Sequence, residues 1–110
     1  MDRRTQKRLE KRAEVIKALA HPARLLIIEA LAEGERNVGE LTDLVGRDMS
    51  TVSRHLAKLR GAGIVEDEKR GAEVVYTLLT PCVLQVFSCV EGVLGGKRTS
   101  VAVGRRSCRV

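Results

Sequence analysis

Two sets of side chains in this sequence have the types and spacing to do chemistry. The first is a run of donors, Ser50, Thr51, Ser53, Arg54, His55 and Lys58, in a stretch that holds no acid between Asp48 and Glu66. Hydroxyl, guanidinium, imidazole and ammonium groups gathered on one surface match the acceptors on base edges and phosphates. The second set is the thiols Cys82 and Cys89, with Cys108 further on. As thiolates they would be nucleophiles and ligands for soft ions. No grouping of Ser, His and acid suggests nucleophilic catalysis. The Gly-rich pieces Gly61-Ala62-Gly63 and Gly95-Gly96 match no phosphate loop, so an enzyme is not expected.

These side chains need elements to position them. Asp48 is a good N-cap, and Met49, Val52, Leu56 and Leu59 step as an apolar helical stripe that Gly61 and Gly63 close. The donors then fall on the outward side of that helix. Before it, Val38 to Val45 reads as a short helix with Leu41, Leu44 and Val45 apolar and Gly46 as its stop. After it, Ile64-Val65 and Val74 to Leu78 read as strands joined by a charged turn, Glu66 to Glu73, with Lys69 and Arg70 at the tip. Upstream, Arg3 to Ala20 has no Pro or Gly, and Leu9, Ala13, Ile16 and Ala20 step at helical spacing. His21-Pro22 ends that helix and starts another, with Leu25, Ile28, Leu31 and Ala32 apolar; His21 reads as a local cap or packing residue. Thr80 and Pro81 are expected to start a last helix running to about Leu94. Cys82 would sit at its second position, where backbone N–H groups favour thiolate.

The fold class this predicts is mainly α with a small β-hairpin. Two short helices across a Gly-containing turn, followed by a hairpin, are in the winged helix-turn-helix order. N-terminal residues of a recognition helix usually meet bases, which favours Ser50, Thr51 and Arg54. Ser53 and His55 are further candidates, while Lys58 suits phosphate. Lys69 and Arg70 would reach flanking backbone or the minor groove.

Composition narrows the class. The chain has 110 residues, enough for one domain. Its net charge of +6 suggests a polyanionic partner. That charge sits at the ends: residues 1–12 carry six basic and two acidic side chains, and residues 97–110 carry five basic ones. The span 13–96 holds nine basic against twelve acidic. We therefore divide the chain into a basic extension of the first helix (1–12), a winged domain (13–96) and a basic flexible tail (97–110). Aromatic content of 2% argues against base-stacking single-strand binders. Three cysteines without framework spacing argue against a secreted disulfide scaffold. No apolar run is long enough to span a membrane, and the charged N-terminus has no signal-like segment, so a cytoplasmic protein with reduced thiols and no membrane partner is expected.

Three stretches, "IKALAHPARLLIIEAL", "NVGELTDLVGRDMSTVSRHLAKLRGAGIVEDEKRGAEVVYTL" and "TPCVLQVFSCVEGVL", resemble the ArsR/SmtB family of bacterial winged-helix repressors over residues 13–94. The resemblance implies a homodimer that binds double-stranded operator DNA and leaves it when an inducer binds. It also implies a dimer interface built from the first and last helices, with Asp48 to Arg60 reading DNA. Independently, the last helix is apolar over most of its circumference, with a narrow polar stripe at Gln85, Ser88, Glu91 and Gly92. Such a helix must be covered on two sides, and a second copy can supply one of them.

Many metal-sensing members of that family carry Cys-Val-Cys-Asp/Glu-Leu at the third helix. Here that segment is Asn37-Val38-Gly39-Glu40-Leu41, so both thiols are missing. The family's Asp/His-rich site on the last helix is absent too. Cys82, Cys89 and Cys108 remain as metal or inducer ligands. Cys82 and Cys89 share a helix face but are about 10.5 Å apart in rise, too far for one disulfide or one ion within a chain. Across an antiparallel dimer pair Cys82 could approach Cys89 of a second copy. No cofactor is needed for DNA binding. The inducer expected is arsenite, antimonite or a soft divalent metal ion. Redox or reactive-sulfur sensing by the same cysteines, cysteines acting only as small hydrophobes, and an effector-independent DNA-binding or protein-interaction module stay open.

Overall fold

The computed structural model describes residues 1–96; the expected tail, 97–110, and Cys108 lie outside the described residues. The chain forms two compact units, which divide between Leu79 and Thr80. The first runs α1 (Arg3–Leu19), α2 (Pro22–Glu33), β1 (Arg36–Asn37), α3 (Val38–Val45), α4 (Met49–Gly61), β2 (Val65–Arg70) and β3 (Glu73–Leu78). The second contains α5 (Val83–Leu94).

Side-chain caps set most of the helix starts. Asp2 accepts from the Thr5 N–H at 2.7 Å to open α1. His21 caps α2 by accepting the Ala23 N–H at Nδ1, with Pro22 at the first helical position. Asn37 and Glu40 cap α3 reciprocally: Asn37 Oδ1 accepts the Glu40 N–H, and Glu40 Oε1 accepts the Asn37 N–H. At the end of α4 the Gly63 N–H donates to the Arg60 carbonyl and the Ile64 N–H to that of Leu59, a Schellman motif. Gly63 has φ +80°, which a glycine adopts without cost.

The core joins Ile27, Ile28 and Leu31 of α2 to Leu41 of α3, to Val52, Leu56 and Leu59 of α4, and to Ile64, Val65, Val75 and Tyr76. Several expected apolar positions lie outside it. Met49 is 57% exposed and Leu44 is exposed, and on α2 Ala32 is exposed while Ile27, outside the expected stripe, is fully buried. The stripe expected on α1 is exposed as well, with Ile16 at 64%; only Ala18 of that helix is buried.

The sheet has three antiparallel strands in the order β1-β3-β2, one strand more than the expected hairpin. Arg36 pairs with Tyr76 and Asn37 with Val75. The hairpin is also longer and tighter than its sequence suggests. Glu66 to Arg70, expected as a turn, is strand, and the connection is only Gly71-Ala72 between paired Arg70 and Glu73. Gly71 has φ +62° and Ala72 does not have positive φ, the signature of a II′-like turn. After Val65 every residue of β2 is exposed, so no face of it needs an apolar alternation.

In the second unit, backbone bonds from Val83 to Thr80 and from Leu84 to Pro81 form a tight lead-in turn. The helix proper starts at Val83, later than expected, and Cys82 occupies the N-cap position instead of the second helical one. Leu84, Val86, Val90, Val93 and Leu94 are exposed.

Candidate nucleic-acid interface

The interface is built on the turn Gly46-Arg47-Asp48 between α3 and α4. Gly46 ends α3 in the left-handed region, φ +72°, and turns the chain sharply. Asp48 then caps α4, accepting from the Thr51 N–H, from the Thr51 hydroxyl at 2.6 Å and from the Ser50 hydroxyl. Those bonds, the Ser50 hydroxyl foremost, hold the Asp48 carboxyl well below its usual range. Two of the expected base contacts, Ser50 and Thr51, are thus oriented by the cap itself.

Beyond the cap, Ser53, Arg54 and Lys58 are exposed along one side of α4, as expected. Arg54 and Lys58, four residues apart, fall on neighbouring turns of that face. Arg47, which the sequence reading did not single out, adds a further exposed cation in the turn. Its signal was present: a basic residue directly before the cap of the second helix.

His55 departs from expectation. It is 9% exposed, on the inner side of α4, and does not belong to the outward donor face. Its Nδ1 accepts from Arg24 Nε at 3.1 Å, and its ring lies 4.3 Å from that of His21. Arg24 also donates to the Ala18 carbonyl at 3.3 Å, so one guanidinium joins α1, α2 and α4. Burial, then the neighbouring imidazole of His21 and the charges of Arg24, Arg54 and Arg47, lower the His55 pKa and keep the ring neutral.

In the wing, Lys69 and Arg70 are at the tip as expected, flanking the turn. Lys69 is exposed, whereas Arg70 is already committed: Nη1 donates to Glu35 at 2.6 Å and Nη2 to Glu68 at 3.2 Å. The same pair holds Glu35 below its ordinary pKa. Arg60 anchors the wing to α4 through Asp67 at 2.7 Å.

Asn37, Val38, Gly39, Met49 and Ser53 border a shallow groove whose lining holds no cysteine. Cys82 is half-buried and Cys89 exposed on α5. Among the described residues no group of three or more His, Cys, Asp or Glu side chains is placed to hold a metal ion.

A helix-turn-helix that bares a cationic, acid-free face and runs on into a hairpin is the architecture of a winged helix-turn-helix DNA-binding regulator. Comparison with known proteins agrees. Residues 21–67 match the model of the bacterial regulatory proteins of the arsR family. An HTH-type transcriptional regulator of Mycobacterium tuberculosis, Rv0081, is 39% identical over 84 residues, 76% of this chain and 74% of that protein. The biofilm growth-associated repressor of Xylella fastidiosa is 40% identical over 73 residues, 66% of this chain and 64% of that protein. The homodimeric winged helix-turn-helix DNA-binding domain of Mb0332 from Mycobacterium bovis superposes with a TM-score of 0.72 at 33% identity, covering 86% of this chain and 88% of that one. The chain belongs to the ArsR family. Its relatives are DNA-binding transcriptional regulators, not enzymes. Among the described residues no helix is long and apolar enough to cross a membrane.

Proposed function

We propose that the chain is a homodimeric repressor that reads operator DNA with α4 and releases it when a thiophilic inducer engages Cys82 and Cys89. The observation that carries the DNA-reading part is the exposed face of Ser53, Arg54 and Lys58 behind a cap that fixes Ser50 and Thr51. The repressor assignment is supported by the name of the Xylella fastidiosa relative, and dimerisation by the homodimeric Mycobacterium bovis domain. Exposed apolar side chains support it too. Leu9, Val15 and Ile16 on α1, and Leu84, Val86, Val90, Val93 and Leu94 on α5, are what a second copy would cover. A two-fold dimer places its two recognition helices on half-sites about one helical turn apart.

The inducer class rests on chemistry: these are the thiols of the described chain, and soft trivalent arsenic, antimony or a soft divalent metal prefers thiolate. Fluorescence anisotropy on a fragment carrying the chain's own promoter tests the whole reading. Binding should be salt-sensitive and persist against excess nonspecific duplex, and arsenite, antimonite or cadmium should release it. Release by polysulfide or peroxide alone would replace ligand binding with thiol oxidation. Release by none of these would leave an effector-independent DNA binder.

A further inference from the structure

One basic groove is left unused by the outward face of α4. It lies between the start of α2, the end of α3 and the first half of α4, holds about 520 Å³, and is bordered by His21, Leu26, Val45, Arg47, Thr51 and His55. Arg47 is exposed, and among the described residues no carboxylate lies within ion-pair distance of it. The nearest acid in sequence, Asp48, is occupied by the Ser50 and Thr51 hydroxyls and the Thr51 N–H.

The two imidazoles are fixed as donors. His55 accepts at Nδ1 from Arg24, and His21 accepts at Nδ1 from the Ala23 N–H. A neutral imidazole that accepts at one nitrogen carries its proton on the other. Both rings therefore hold Nε2–H donors, and among the described residues neither Nε2 meets an acceptor. His55 as a whole is 9% exposed and borders the groove, and its Nε2 is not among the buried atoms that lack a partner, so this donor stays within reach of a ligand oxygen.

We propose that this groove seats one phosphodiester of bound DNA, with the Nε2–H groups of His21 and His55 donating to its oxygens and Arg47 supplying the countercharge. Thr51 borders the groove and also opens α4, so the phosphate held would flank the bases that Ser53 and Arg54 face. The inference rests on α4 being the DNA-reading helix. A free phosphate ion offers the same oxygens, and the experiment separates the two sources.

The test uses the full chain and a duplex carrying a site selected from random DNA by the wild-type protein. Each phosphate of the half-site is replaced singly by uncharged methylphosphonate. One replacement should weaken wild-type binding roughly three- to tenfold and leave Arg47→Gln unaffected. Arg47→Gln should also bind with a salt slope lower by about one, with its sequence discrimination intact. His55→Phe should show the same loss of coupling. If it unfolds, Arg47→Gln, at an exposed position, carries the test. Arg54→Ala, measured alongside, reports on the α4 reading separately, because it should lose discrimination whatever the groove holds. A wild-type salt slope in Arg47→Gln, with every methylphosphonate effect retained, would overturn the proposal. So would imidazole NMR shifts at His21 and His55 with inorganic phosphate but no coupled position on the duplex, which would assign the groove to the free ion.

Discussion

Arg24 Nε and His55 Nδ1 lie 3.1 Å apart, and this bond ties α4 to the start of α2. Arg24→Met keeps the aliphatic stem but leaves the His55 acceptor and the Ala18 carbonyl without their donor. It should cost about 1–2 kcal/mol, read as a thermal midpoint lower by about 5 °C. A midpoint unchanged from wild type would show that water replaces the guanidinium without loss.

The same ring makes stability depend on pH. Its folded pKa is lowered from 6.5, chiefly by burial and then by the neighbouring His21 ring and the charge of Arg24, so below that pH the unfolded chain binds a proton at His55 that the folded chain resists. The stability that neutral His55 contributes is thus fully present above about 6.5 and is lost as pH falls from there toward the folded pKa. Urea midpoints should decline between neutral and mildly acidic pH, and His55→Gln, which cannot titrate, should show a flatter decline. Parallel curves for the two proteins would remove His55 as the cause.

Arg54 and Lys58 share a face but should fail differently. Arg54 is exposed near the start of α4, and if α4 reads DNA as proposed, Arg54→Ala should lose about 1–3 kcal/mol of discrimination between the selected site and its single-base variants. Lys58→Ala should weaken all duplexes alike and lower the salt slope by about one. Equal effects of both substitutions on all sequences would mean that α4 touches only backbone.

How much of this was legible in the sequence depends on how local each cause is. Caps and turn residues are local, and Asp48, His21, Gly46 and Gly63 mark their helix ends directly. The outward placement of Ser53, Arg54 and Lys58 follows from helical period. His55 was misread because the stripe was anchored on Met49. Anchored on Val52, the same period gives 52, 55, 56 and 59, which are the buried positions. A polar ring is tolerated there because of Arg24, 31 residues away, and no local pattern announces that partner. Strand β1 is only two residues long and exists through its pairing with β3, again a distant cause. The charged strand β2 defeats an alternation test because every residue after Val65 is exposed and neither face is covered by the apolar core.

Arg70 in the wing is held by Glu35 and Glu68, so its charge is largely spent within the protein. Glu35→Gln should release it toward DNA, raising nonspecific affinity a few-fold and steepening the salt slope by up to about one. The pair is exposed, and its loss should leave the thermal midpoint nearly unchanged. An unchanged salt slope would place the wing tip away from the backbone.

The cysteines permit a test of whether sensing occurs within or between copies. Cys82 precedes α5 and Cys89 lies seven residues on, in its second turn, a separation that one ion cannot bridge along a single helix. If the inducer links Cys82 of one copy to Cys89 of another, Cys82→Ser and Cys89→Ser homodimers should each bind DNA normally and ignore arsenite. Mixed dimers of the two variants, however, retain one intact Cys82–Cys89 pair between copies and none within a copy. Anisotropy on the promoter fragment should therefore show partial release by arsenite from the mixed dimer alone. Full response in either single-variant homodimer would show that its remaining thiols suffice without a Cys82–Cys89 pair. Silence in the mixed dimer would show that a single pair between copies is not enough.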